Sequence, residues 1–159
     1  MLIRLSPVLC LALLAACGQD STEMPSEPAS SAPATPAAPV GPRPAPAGAM
    51  AYIIEPADGA VVSSPVRVVF GLRGIGVAPS GVAREDAGHH HLLVDTGLPQ
   101  MLTVSIPNDA NHRHFGGGQT ETELDLEPGT HTLQLLLGDE NHIPHDPPIT
   151  SDQITIEVR

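Results

Sequence analysis

The feature of this sequence that most constrains its fold is an alternation of apolar and polar residues with a period of two. In PVRVVFGL the side chains of Val66, Val68 and Phe70 share one face, because successive side chains of a strand point to opposite sides of a sheet. The same pattern recurs in MLTVSIP, TETELDLEP, HTLQLLLGD and DQITIEV, and no segment of this region shows a helical period. Together with AYIIEP and HHHLLVD, the alternation predicts about seven strands separated by Pro, Gly and Asn turns.

About seven short strands in roughly a hundred residues predict an all-β fold, an immunoglobulin-like antiparallel β-sandwich. The phrases EPADGAVVSSPVRVVFGL and LEPGTHTLQLLLGD resemble the first two strands and the E–F corner of bacterial immunoglobulin-like domains. That resemblance implies strands A to G at residues 51–55, 65–72, 89–95, 101–106, 120–127, 130–137 and 152–158.

The N-terminus has the pattern of an export signal. Arg4 precedes an apolar run and the tetrapeptide LAAC, which ends at Cys17. This resembles a bacterial lipoprotein signal, cleaved before Cys17 and lipidated there; an ordinary signal peptide is the alternative. We therefore predict a signal peptide at 1–16, a lipidated Cys with a disordered Pro/Ala/Ser-rich linker at 17–49, and a folded domain at 50–159. The expected location is the periplasmic face of the outer membrane or the cell surface.

Cysteine usage and charge exclude several kinds of site. Cys10 leaves with the signal and Cys17 carries lipid in this interpretation, so no cysteine remains for a disulfide, a thiolate nucleophile or a Cys-rich metal site. The chain has 18 Asp and Glu, seven Lys and Arg, and a formal net charge of −11. Nucleic acid and an anionic membrane surface are therefore not expected as partners.

The eight histidines are concentrated near three predicted loops. In an immunoglobulin-like sandwich the B–C, D–E and F–G connections lie at one end, and here they correspond to residues 73–88, 107–119 and 138–151. The topology therefore predicts that the histidines in or beside these loops converge on one pole, namely His89, His90, His91, His112, His114, His142 and His145. His131 is expected at the opposite end.

Spacing and chemistry favour a transition metal at that pole. His89 and His91 point to the same side of strand C, as His112 and His114 do if that segment is extended. Neutral imidazole binds Zn and Cu(II) well, and the loops lack the cysteine and methionine that Cu(I) prefers. The predicted ligands for Zn or Cu(II) are His89, His91, His112, His114, His142 and His145.

A structural role is the alternative for the whole set, with imidazoles bridging long loops to the backbone. His90 shares its phase with the core residues of strand C, and His131 lies where such sandwiches carry a corner tyrosine. Both are predicted to be structural. Asp95 and Asp139 are also predicted as structural residues, with carboxylates that fix imidazole tautomers.

Catalytic motifs are weak. Neither Ser80 nor Ser105 lies in a G-x-S-x-G elbow. GIG at 74–76 and GGG at 116–118 lack the strand-to-helix setting of a phosphate loop. We expect no enzyme activity, and metal-dependent hydrolysis is a distant alternative.

Three motifs resemble an uncharacterised His-rich bacterial family, domain of unknown function number 4399. They are GHHHLLVD at 88–95, HFGGGQT at 114–120 and GTHTLQLLLGDENHIPH at 129–145. The resemblance covers about residues 55–158, and His112 is less clearly part of the family motifs than the other histidines. The family implies no activity.

The leading prediction is a membrane-tethered lipoprotein domain that binds a transition metal through histidines at the loop pole. The alternative is a non-enzymatic immunoglobulin-like structural or interaction module whose histidines form internal hydrogen bonds. The expected partners are the membrane, through the lipid on Cys17, and a metal ion, but not nucleic acid.

Overall fold

Residues 41–159 are described here by a computed structural model of the chain. The predicted signal peptide at 1–16, the lipidation site Cys17 and the linker up to residue 40 lie outside the described residues. Within residues 41–159 there is no helix with the length and hydropathy needed to cross a membrane.

Nine strands in this described part of the chain form two sheets. In chain order they are β1 (Met50–Glu55), β2 (Val61–Val62), β3 (Val66–Arg73), β4 (Gly76–Val77), β5 (Ala87–Val94), β6 (His112–His114), β7 (Glu121–Leu124), β8 (Gly129–Gly138) and β9 (Ile154–Val158).

The order of the strands confirms the predicted sandwich. One sheet has the order β1-β3-β7, and the other has the order β2-β9-β8-β5-β4, with β6 paired to β5. The first sheet corresponds to strands A, B and E, and the second contains strands G, F and C. The pairs β1–β3, β3–β7, β5–β8 and β8–β9 are antiparallel, whereas the short β2 runs parallel to β9.

The main core lies between the two sheets and follows the period-two pattern. Val66, Val68 and Phe70 of β3 are no more than 3% exposed. They belong to one cluster with inward-facing residues of β5, β7, β8 and β9. Each such side chain stabilises the fold by about 1.5–3 kcal/mol through removal of apolar surface from water.

The prediction of strand D at 101–106 is wrong. That segment is a loop whose Leu102 and Ile106 pack on Leu93 of β5 and Leu136 of β8, forming a second, smaller core. The apolar spacing in this segment arises because the loop covers the outer face of the second sheet. All eight residues of β5 are consequently buried.

Ordered contacts begin before residue 50, the predicted start of the domain. Arg43 forms an ion pair with Glu140. The backbone of Asp146 is hydrogen-bonded to Arg43 and Ala45, at 2.8 and 2.9 Å. Backbone hydrogen bonds thus attach residues 43–45 to the domain. Such bonds do not depend on the identity of the side chains, so the Pro- and Ala-rich sequence gives no sign of them.

His131 is the third residue of β8, close to the corner that joins β7 to β8, and its ring is hydrogen-bonded to residues outside the strands. Its Nδ1 is 2.7 Å from Oδ2 of Asp95, and its Nε2 is 2.9 Å from the carbonyl oxygen of Glu127. Asp95 also accepts a hydrogen bond from the backbone of Thr132 at 2.9 Å. The hydrogen bond to Asp95 raises the pKa of His131 above its ordinary value. Asp95 thus partners His131 at this corner.

We expect His131→Ala to lower the free energy of unfolding by about 1–2 kcal/mol, because two hydrogen bonds are lost. The loss should be larger at pH 6 than at pH 9. Because the pKa of His131 is higher in the folded than in the unfolded chain, protonated His131 stabilises the fold fully below the unfolded-state pKa of about 6.5. This stabilisation is lost as the pH rises through the folded-state pKa. Urea denaturation followed by circular dichroism measures the effect.

Thr130→Ala is the matched control. Thr130 precedes His131 by one residue, and its substitution removes only an exposed 3.1 Å hydrogen bond to Glu157. Equal losses in the two variants would contradict a structural role for His131.

Candidate metal centre

Four imidazole rings meet on the outer face of the second sheet. His89 and His91 come from β5, His114 from β6, and His142 from the loop after β8. The ring centroids of His114 and His142 are 4.7 Å apart, those of His91 and His142 are 6.0 Å apart, and the other four pairs are each 5.0 Å apart. The rings therefore occupy the corners of an irregular tetrahedron, which we call the histidine cluster.

These separations match the requirements of a tetrahedral metal ion. With Zn–N bonds of about 2.0–2.1 Å, ligand nitrogens lie about 3.3–3.4 Å apart and ring centres about 5 Å apart. The Nε2 atoms of His89 and His91 are 3.2 Å apart. One potential ligand nitrogen from each of His89, His114 and His142 lies within 4.8 Å of the other two. Three histidines thus bring ring nitrogens close to one another, and His91 joins them through its contact with His89.

The strand register explains why these histidines converge. His89 and His91 are two residues apart on β5 and share the face opposite the main core. The antiparallel pairing of β5 with β6 places His114 directly across from His91. The pairing of β5 with β8 places Gly138, the last residue of β8, across from His89, so the loop carrying His142 begins beside the same pair.

Asp139 shapes the turn that presents His142. Its Oδ1 accepts hydrogen bonds from the backbone of Asn141 and Ile143 at 2.8 and 2.9 Å, and its carbonyl accepts one from the backbone of His142 at 2.9 Å. His142 has a φ of 67°, a left-handed conformation that is uncommon for residues other than glycine. Asp139, predicted to fix an imidazole tautomer, instead orders the backbone around His142.

Two glycines that the sequence interpretation missed leave room for the rings. A Cβ on Gly116 would lie 2.4 Å from Cε1 and 2.5 Å from Nε2 of His114. A Cβ on Gly138 would lie 3.1 Å from Nε2 of His91 and 3.2 Å from Cα of His142. The sequence indicates these glycines only by their positions: Gly116 follows His114 by two residues, and Gly138 precedes His142 by four.

Burial favours the neutral form of three cluster imidazoles, those of His89, His91 and His114. His89 and His91 are 0% and 1% exposed, and His114 and His142 are half-buried. Burial, reinforced by the neighbouring imidazoles, lowers the pKa of His89 to about 4 and that of His91 to about 2. Burial also lowers the pKa of His114. Neutral imidazole is the form that binds a metal.

Hydrogen bonding does not satisfy the cluster. Within residues 41–159, Nδ1 of His89, Nδ1 of His91 and Nε2 of His114 are buried without a hydrogen-bond partner. Each such group costs about 1–3 kcal/mol. His131, in contrast, has an acceptor at both ring nitrogens. Of these three atoms, Nε2 of His114 is free to bind an ion; His89 and His91 would bind through the Nε2 atoms that face each other, and their Nδ1 atoms would keep the proton.

The structure places His90 and His112 outside the cluster. His90 faces the main core, where its ring centroid is 5.0 Å from that of Phe70, as the alternation along β5 predicts. His112, predicted as a ligand, is two residues from His114, but its Nδ1 lies 2.9 Å from Oδ1 of Asp109. The same carboxylate oxygen accepts a hydrogen bond from the His112 backbone at 2.9 Å, so a local turn holds this ring.

His145, also predicted as a ligand, is not brought into the cluster either. It is 3% exposed and lines a separate cavity with Arg43, Pro44, Glu85 and Asp86. Burial lowers its pKa, against the opposing effect of Asp139. The turn around Asp139 directs His142 towards the histidine cluster and His145 towards the N-terminal segment.

Comparison with known proteins identifies the family of this chain. The family model described as Domain of unknown function (DUF4399) matches residues 68–159. The chain belongs to this family. The DUF4399 match includes all four members of the histidine cluster. No curated protein and no solved structure matches the chain.

Acid should destabilise the metal-free fold. The pKa values of His89, His90 and His91 are lowered by burial to about 4, about 4 and about 2, from an ordinary value of 6.5. Below pH 6.5 the unfolded chain therefore binds more protons. The free energy of unfolding should fall from about pH 6.5 towards pH 4 by about 1 kcal/mol per pH unit and per histidine.

Urea denaturation in the presence of EDTA, between pH 7.5 and 4.5, measures this dependence. His91→Gln should make the slope shallower, because one buried group that resists protonation is removed. A free energy of unfolding that stays constant from pH 6.5 to 4.5 would contradict the burial of neutral imidazoles.

Proposed function

We propose that this domain binds one transition-metal ion, Zn²⁺ or Cu²⁺, through His89, His91, His114 and His142. The observation that carries the proposal is the mutual approach of four imidazole rings at the spacing of a tetrahedral ion, with centroids 4.7–6.0 Å apart. The role is metal handling or sensing.

The donor set supports this choice of metals. Imidazole nitrogen suits Zn²⁺ and Cu²⁺, whereas Mg²⁺ and Ca²⁺ need oxygen ligands. Two cluster members, His89 and His91, are fully buried and neutral, so they are already in the ligating form at neutral pH. The half-buried His114 and His142 provide the side from which an ion can enter.

The chain's N-terminal sequence supports a location for this activity. LAAC at residues 14–17 resembles a lipoprotein signal, and the proposal includes export and attachment to a membrane through lipid on Cys17. The Pro- and Ala-rich segment that follows would hold the domain away from the membrane surface.

We propose binding in preference to catalysis. Within residues 41–159, no carboxylate is hydrogen-bonded to any of the four cluster imidazoles, whose bonds are to one another and to Ser80. A hydrolytic site would need a base to take a proton from metal-bound water.

The second candidate is a non-enzymatic structural or interaction module, favoured by the histidines that do have structural contacts. His131 bonds Asp95, His112 bonds Asp109, and His90 packs on Phe70. If the cluster served the same purpose, metal titration would show no binding, and loss of a cluster histidine would change only the stability.

Isothermal titration of the full-length chain without a histidine tag, in detergent, tests the proposal. We expect one Zn²⁺ or Cu²⁺ per chain, with a dissociation constant below about 1 μM, and X-ray absorption distances of about 2.0–2.1 Å to nitrogen. Binding no tighter than about 100 μM for both ions would refute the metal site and favour the second candidate.

Two histidines of the same strand give a matched pair of variants. His114→Ala should weaken metal binding by about 100-fold or more, because a ligand is lost. His112→Ala should bind as the unmodified chain does, since its ring bonds Asp109. Equal weakening in both variants would show that the ion is not held by the histidine cluster.

Gly116→Ala should also weaken metal binding, by about tenfold or more, because its methyl group would occupy the space of the His114 ring. Gly117→Ala is the control, since there the methyl group would meet only the flexible side chain of Gln119, at 3.1 Å. Competition with a coloured chelator measures both affinities, and identical values would contradict the proposed packing role of Gly116.

A further inference from the structure

We infer that Ser80 is a positioning residue of the metal centre: its hydroxyl oxygen accepts a hydrogen bond from Nε2–H of His142, so that the ion takes Nδ1 of His142. The inference rests on the proposed metal binding and deepens it, because it adds an outer partner and specifies the ligand atom of one histidine. The sequence interpretation considered Ser80 only as a nucleophile.

The side chain of Ser80 is hydrogen-bonded to a cluster imidazole. Its Oγ is 3.0 Å from Nε2 of His142, in a partly buried position. Within the described residues 41–159, no other side chain outside the four histidines is hydrogen-bonded to any of them. Such outer partners set the orientation and tautomer of a ligating imidazole.

The backbone around Ser80 joins both loops that carry half-buried ligands. The amide of Ser80 donates to the carbonyl of Gly116 at 2.8 Å, and the amide of Gly81 donates to the carbonyl of Glu140 at 3.0 Å. Gly116 follows His114 by two residues, and Glu140 precedes His142 by two residues. The Ser80 hydroxyl is therefore held in place relative to both ligands.

The chemistry of imidazole determines the direction of the hydrogen bond. A neutral ring has one N–H and one lone pair. If the Ser80 hydroxyl donated to the lone pair on Nε2, the proton would be on Nδ1 and the ring would have no lone pair for a metal. A metal-binding His142 that keeps its contact with Ser80 must carry the proton on Nε2 and ligate through Nδ1.

The position of Gly138 agrees with this assignment. The point where its Cβ would lie is 3.1 Å from Nε2 of His91 and 3.2 Å from Cα of His142. Cα of His142 and Nε2 of His91 therefore both border the same point beside Gly138. Nδ1 is the ring nitrogen nearer the main chain, whereas Nε2 extends towards Ser80.

The test uses the full-length chain without a histidine tag, in detergent, and its variants Ser80→Ala, Ser80→Thr and Ser105→Ala. Zn²⁺ affinity by chelator competition should fall about tenfold or more in Ser80→Ala. Ser80→Thr, which keeps the hydroxyl, should restore most of it. Ser105 is an exposed serine, and Ser105→Ala should match the unmodified chain.

Nitrogen-15 NMR of the zinc-bound chain shows which ring nitrogen of His142 binds the ion and how fast the proton on the other nitrogen exchanges. A role of Ser80 in fold stability alone would leave both unchanged. We expect Zn²⁺ on Nδ1 of His142 and a slowly exchanging proton on Nε2, with faster exchange in Ser80→Ala. Zn²⁺ on Nε2 of His142, or unchanged affinity and exchange in Ser80→Ala, would overturn the inference while leaving metal binding intact.

Failure of the unmodified chain to bind either ion would instead refute the proposed function, and the inference with it. If Ser80→Ala fails to fold, the NMR assignment in the unmodified chain and the affinity of Ser80→Thr still decide the matter.

Discussion

The rest of the structure depends on the burial of β5 on both of its faces. An ordinary strand at this position of a sandwich would have one face in the core and one in water. Here the inner face packs in the main core, while loops cover the outer face, which carries Leu93, His89 and His91. Covering that face takes two imidazoles out of water, and burial then keeps them uncharged. Their Nε2 atoms lie 3.2 Å apart, while their Nδ1 atoms have no hydrogen-bond partner within residues 41–159, so hydrogen bonds satisfy this buried pair only in part.

The loops that cover this face also complete the histidine cluster. Strand β6 adds His114 directly beside His91, and the turn ordered by Asp139 brings His142 to the same place. Ser80 connects the two loops through its backbone and its hydroxyl. The cluster is thus held by parts of the chain that lie about 60 residues apart, from Ser80 to His142. A metal ion bound there would link β5, β6 and the β8–β9 loop, and would stabilise the folded state by its binding energy.

Much of the fold could be predicted from residue patterns because its strands alternate. Period-two alternation located the strands that became β1, β3, β5, β7, β8 and β9, and it assigned His90 to the core side of β5. MLTVSIP is an exception. Its alternation predicts strand D, but Leu102 and Ile106 cover Leu93 and Leu136 from outside the sheet. A loop lying on a sheet face and a strand within a sheet can present the same apolar spacing.

The sequence by itself determined the two-sheet fold class and the division of the three consecutive histidines, because both depend only on the direction of successive side chains along a strand. It also placed His131 at a corner of the sandwich. Only the tertiary structure decided which histidines meet, since that depends on register and on turns. His91 lies opposite His114 through the pairing of β5 with β6. His112 is held by Asp109 instead, although it has the same spacing from His114 as His89 has from His91. Hydrogen bonds made across loops, such as that from His142 to Ser80, leave no periodic signal in the chain.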